Sequence, residues 1–127
     1  MAQTLILAGI LLAQSVAPAV LVEGRADRLD RVDVGYTELA AGQPQAAIER
    51  IQGNSALNAD DPAALINLGA AHARMGEVSD ARAYLAAAII SPDRYNLQLA
   101  DGRWMDSRRA ARLAMGMLQE GQVLAVR

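Results

Sequence analysis

Asp60-Asp61-Pro62-Ala63-Ala64-Leu65-Ile66-Asn67-Leu68-Gly69-Ala70-Ala71-His72-Ala73-Arg74-Met75-Gly76 decides how this chain folds. An acidic residue followed by proline is a helix start: the carboxylate accepts from free backbone N–H groups, and proline fits the first helical position. Leu65, Leu68 and His72 then recur at helical spacing on one face. Gly69 has no side chain, so a neighbouring helix can approach closely there. Gly76 stops the helix in the way glycine usually does, by entering the left-handed region. Ser79 or Asp80 is the expected cap of a second helix over Ala81–Ile90, and Pro92 blocks its extension.

The same features recur 34 residues earlier. Gly35 pairs with Gly69, Gly42 with Gly76, Ala47 with Ala81, and Ile51 with Leu85. A fixed period of that length points to stacked helix–turn–helix units, which serve as binding scaffolds.

Asn67-Leu68-Gly69, Gly76, Asp80-Ala81, Leu85, Ala88 and Pro92 resemble the tetratricopeptide repeat. The family's pattern puts a large residue four positions before its first glycine, where Leu65 stands. It puts an aromatic three positions after that glycine, where this chain has His72, and its closing proline one position beyond Pro92. Residues 62–95 make the clearer copy and residues 28–61 the weaker one. In the weaker copy Arg31 and Glu38 stand where the family is usually large and apolar, and its second helix ends at Gly53-Asn54.

In the first helix of that copy, Leu29, Val32, Tyr36 and Leu39 step along one stripe. The resemblance implies that these positions face a concave groove, continued by Ile66, Ala70 and Ala73 with Arg74 at the rim. An apolar groove of this kind suits a partner helix or an extended peptide. The competing expectation is that the chain's own C-terminus fills it, since a short stack needs a cap. Arg25, Asp27, Arg28, Asp30, Arg31 and Asp33 alternate in sign beside the stripe and read as a solvated helix face.

Beyond residue 95 the repeat pattern stops. Residues 96–106 contain Asp101-Gly102 between short alternating runs, a hairpin signal. Leu97 and Leu99 share one face of the first arm, and Trp104, the only tryptophan, is expected to anchor the hairpin to the helices. Asp106-Ser107 should cap a last helix over 108–119 within a segment 107–127, with Gly121 ending it. Arg108, Arg109 and Arg112 crowd that helix's first turns. They could bind an anion, but a solvated face paired with local acids is the plainer reading.

At the other end, Leu5–Ala13 is an apolar run, and Ala17-Pro18-Ala19 offers a small-residue cleavage pattern. Residues 1–19 therefore read as a secretory signal, with 20–27 as a linker, although no basic side chain precedes the run. An uncleaved membrane anchor over Leu5–Val22 and a buried core helix are the alternatives. The export signal points to the periplasm or the exterior, and the composition to a bacterial source.

The 127 residues hold 12 Lys+Arg, all arginine, against 14 Asp+Glu, a formal charge of −2 that gives no footprint for nucleic acid. With no cysteine there is no disulfide, no thiol nucleophile and no cysteine for lipoprotein acylation. His72 stands alone, so no transition-metal motif is visible and no cofactor is expected. A hydrolase built from Asp60, Asp61 and His72 is the one enzymatic alternative, and burial of His72 would count against it. The expectation is a mostly α protein, a tetratricopeptide-like helical-hairpin pair with a short C-terminal β-hairpin and a capping helix. Its expected role is non-catalytic binding of another protein or peptide, with a homodimer built on the same stripe as the alternative.

Overall fold

The computed structural model describes residues 33–121. The signal and linker readings over 1–27, the charged run before Asp33, Leu29 and Val32, and the tail after Gly121 lie outside the described residues.

Five helices and one small sheet follow one another. They are α1 (Tyr36–Ala40), α2 (Pro44–Gln52), α3 (Pro62–Arg74), α4 (Val78–Ile90), β1 (Asn96–Gln98), β2 (Trp104–Asp106) and α5 (Ser107–Gln119). The protein is mostly α, with helical hairpins followed by a β-hairpin and a final helix. Among the described residues no helix is long and apolar enough to cross a membrane.

α3 is the centre of the molecule, and its composition explains why. Pro62 through Ala71 are all buried, as expected of a helix that is apolar or small on every side and must be enclosed by its neighbours. One core cluster joins α3 through Leu39, Ala47, Ile48, Ile51, Ala64 and Leu68 to α1 and α2. The other joins it through Ile66, Leu85, Ala88, Leu97, Ala110 and Ala114 to α4, the hairpin and α5.

The helix ends follow from the sequence. Asp61 accepts from the backbone N–H groups of Ala63 and Ala64 at 2.9 and 3.3 Å, and Pro62 occupies the first helical position. Gly42 and Gly76 both take positive φ, 72° and 78°. Each closes a helix by the same two bonds. Gly42 and Gln43 donate to Leu39 and Glu38, while Gly76 and Glu77 donate to Ala73 and His72. This six-residue closure relies on a left-handed position that glycine adopts without strain.

The other paired glycines serve close packing. A Cβ on Gly69 would lie 2.9 Å from Leu85 Cγ and 3.3 Å from the Ala81 carbonyl oxygen. A Cβ on Gly35 would lie 3.1 Å from both the Ile51 side chain and the Ala47 carbonyl oxygen. These are the residue pairs offset by 34 in the chain, so the spacing in sequence reappears as equivalent contacts in space. One boundary differs from expectation. α4 begins at Val78 rather than Ala81, with Glu77 as its cap position, so Ser79 and Asp80 lie inside its first turn.

The hairpin overturns the role expected of Trp104. Leu99 N donates to Arg103 O at 2.6 Å, enclosing the loop Ala100–Gly102 with Gly102 at φ 86°. This loop sets the register Leu97↔Met105 and Gln98↔Trp104. Alternation then turns Leu97 and Met105 toward the helices and Gln98 and Trp104 away from them. Trp104 is 53% exposed, whereas Leu97 is wholly buried. The leucines, not the tryptophan, anchor the hairpin.

Candidate functional site

Among the described residues, much of the expected concave strip is core. Leu39, Ile66 and Ala70 are buried, which corrects their expected place on an open groove. The short α1 lays Leu39 against α2 and α3, in the same cluster as Ala70, Ile48 and Ile51. Ile66 shares its cluster with Ala110, Ala111 and Ala114 of α5. Along this strip Tyr36, Ala73 and Arg74 keep partial exposure.

Arg74 has a structural attachment. Its Nη1 donates to the Leu39 carbonyl, tying the end of α3 to the end of α1. Burial lowers its pKa from the ordinary arginine value, since low-dielectric surroundings disfavour the charged form. Asn67, also on α3, is fully buried and donates from Nδ2 to the Val34 carbonyl at 2.7 Å. Nearby, Arg50 Nε reaches Glu38 Oε1 at 3.0 Å and Asp33 Oδ2 at 3.3 Å. This explains how Glu38 occupies a position the family usually makes apolar.

The arginines of α5 do not act as one cluster. Arg108 Nη2 donates to the Ser91 carbonyl at 3.1 Å and straps α5 to the end of α4, while Arg109 and Arg112 are exposed. The α5 cap is already filled: Asp106 accepts from Arg109 N at 3.2 Å and from Arg94 Nε at 2.7 Å. The hydrogen bond from Arg94 holds the Asp106 carboxyl below the usual carboxylate range. An anion at this helix start would compete with a carboxylate already in place.

The enzymatic alternative fails on distance. Asp60 and Asp61 precede α3, and His72 lies near its end. Eleven residues of helix separate Asp61 from His72, roughly 16 Å of rise. Asp61 instead caps α3 and accepts the Tyr95 hydroxyl at 2.7 Å, while the Asp60 carbonyl accepts from Ser91.

Sequence reasoning missed the company His72 keeps. Its ring stacks on Tyr84, with centroids 5.1 Å apart and planes 19° from parallel. Glu77 and Asp80 approach the same ring from the turn and from the start of α4. The closure at Gly76, legible as a helix stop, is the signal that could have found them.

Antiparallel helices closed by left-handed glycines and packed through small residues at a 34-residue spacing define a helical-repeat scaffold. Residues 38–94 match the model of the tetratricopeptide repeat, which supports that family for this segment. Repeats of this family generally mediate protein–protein interaction and are typically non-enzymatic scaffolds. No match was found among curated proteins or among solved structures.

Proposed function

We propose that this protein is a non-catalytic interaction module that binds another protein or peptide outside the cytoplasm. The carrying observation is the repeat segment itself, a helical stack built around the buried α3. Export rests on the signal-like residues 1–19, with an inner-membrane anchor as the alternative outcome of that same segment.

The partner contacts the strip through its partly exposed members, Tyr36, Ala73 and Arg74, and the interaction adds a polar rim to a small apolar patch. A second role for the strip is supported by the shared cluster of Ile66 with α5: the C-terminal helix acts as the cap that a short stack requires.

The test is capture from a native envelope fraction using wild type, Ala73→Arg and Trp104→Ser, each shown to be folded by circular dichroism. Loss of a specific partner with Ala73→Arg alone supports the strip. Loss with Trp104→Ser alone moves the site to the hairpin. No specific partner for any form, with mass rising with concentration, would replace the adaptor by a homodimer. Cell fractionation of the full chain decides between export and anchoring.

A further inference from the structure

We propose that His72, Glu77 and Asp80 form a binding site for a divalent transition-metal ion that clamps the turn between α3 and α4. The His72 side chain is 14% exposed, and both ring nitrogens are shielded from solvent without a hydrogen-bond partner. Nδ1 stands 3.4 Å from Glu77 Oε2, within reach of the carboxylate but not aligned as a hydrogen bond. A buried polar group left in this condition is costly, and buried imidazoles ordinarily find a donor, an acceptor or a metal.

The fold brings the other donors to it. Gly76 turns the chain, and the Glu77 N–H donates to the His72 carbonyl at 2.9 Å, which returns the Glu77 side chain beside the ring. Because α4 starts at Val78, Asp80 lies in its first turn. One ligand atom from each of the three residues lies within 4.8 Å of the other two. Metal–ligand bonds of about 2.0–2.2 Å place neighbouring donors roughly 3–3.5 Å apart in tetrahedral geometry. Small rotations of the two exposed carboxylates close that gap. The ring itself stays fixed by its stacking on Tyr84.

The donor set defines the class of ion. One imidazole and two carboxylates, without thiolate, suit Zn²⁺, Co²⁺ or Mn²⁺ and do not favour Cu⁺. Three protein donors leave positions for water, so the ion is held more weakly than in a closed four-ligand structural zinc site. An ion there joins the end of one helix to the start of the next and stabilises the hairpin against opening.

The experiment is titration of the full-length, chelator-treated protein with Zn²⁺ by calorimetry, with Co²⁺ as a spectroscopic probe and thermal melts with and without metal. Asp80→Asn, at an exposed position, and His72→Phe, which keeps the stacked ring, are the comparison variants. The expected result is one ion per chain, a Co²⁺ visible spectrum showing nitrogen and oxygen ligation, and a melting temperature raised by a few degrees at saturating metal. Each variant should weaken binding at least tenfold while remaining folded. Absence of saturable binding overturns the proposal, as does binding of equal strength in wild type and both variants, which would place the ion on other acids.

Discussion

The buried side-chain amide of Asn67 donates to the backbone carbonyl of Val34 at 2.7 Å and links α3 to the chain that enters α1. Removing the amide leaves that carbonyl without this donor in a site that excludes water. Asn67→Ala should therefore lose about 1–3 kcal/mol, the usual cost of orphaning a buried polar group. Urea denaturation should show a lower midpoint with an unchanged slope. A loss under about 0.5 kcal/mol would mean that the carbonyl finds water or another donor without difficulty.

Gly69 and Gly116 make opposite predictions for the same substitution. Alanine in a helix interior gains roughly 0.5–1 kcal/mol over glycine. At Gly69 a Cβ would lie 2.9 Å from Leu85 Cγ and 3.0 Å from Cδ2, and Leu85 is itself buried. Overpacking of that kind costs about 1–3 kcal/mol, so Gly69→Ala should destabilise. Gly116 faces open space within 4 Å, so Gly116→Ala should raise the melting temperature. Finding the two substitutions equal would remove the close approach of α3 and α4 as the reason for Gly69.

The glycines also show how much of the fold was legible. Gly42 and Gly76 could be read as helix stops because a left-handed residue is required there and few side chains tolerate it. Asp61-Pro62 was readable for a similar local reason. The fate of Ile66 was not: an apolar residue on a helix face looks the same whether it awaits a partner or is covered by α5, whose alanines lie more than forty positions later. Trp104 failed for a third reason. In a strand, a shift of one residue exchanges the two faces, and the register here depends on the loop enclosed by Leu99 and Arg103. The company of His72 needed the turn at Gly76 to be built in space.

Tyr95 gives the fold a dependence on alkaline pH. Burial, with the Asp61 carboxylate beside its hydroxyl, pushes the phenol well above its ordinary range. The folded state therefore favours the protonated phenol more than the unfolded state does. That contribution is complete below about pH 10, the unfolded-state value, and is lost as pH rises beyond it. The loss approaches about 1.4 kcal/mol per pH unit for one proton. Tyr95→Phe should be less stable near neutrality by about 1–2 kcal/mol, because the bond to Asp61 is gone. Its deficit should then shrink above pH 10. Parallel stability curves from pH 8 to 11 would show that the hydroxyl does not sense Asp61.

The two faces of the β-hairpin should differ sharply on truncation. Leu97 is wholly buried in the cluster with Ile66, Leu85 and Leu99, and Leu97→Ala should cost about 2–5 kcal/mol through lost transfer energy and a cavity. Trp104 is larger, yet its side of the hairpin faces solvent. Trp104→Ala should change stability by less than about 1 kcal/mol. Chemical denaturation followed by far-ultraviolet circular dichroism compares them without relying on the tryptophan as a probe. Larger damage from Trp104→Ala than from Leu97→Ala would reverse the register of the hairpin and restore Trp104 as the anchor.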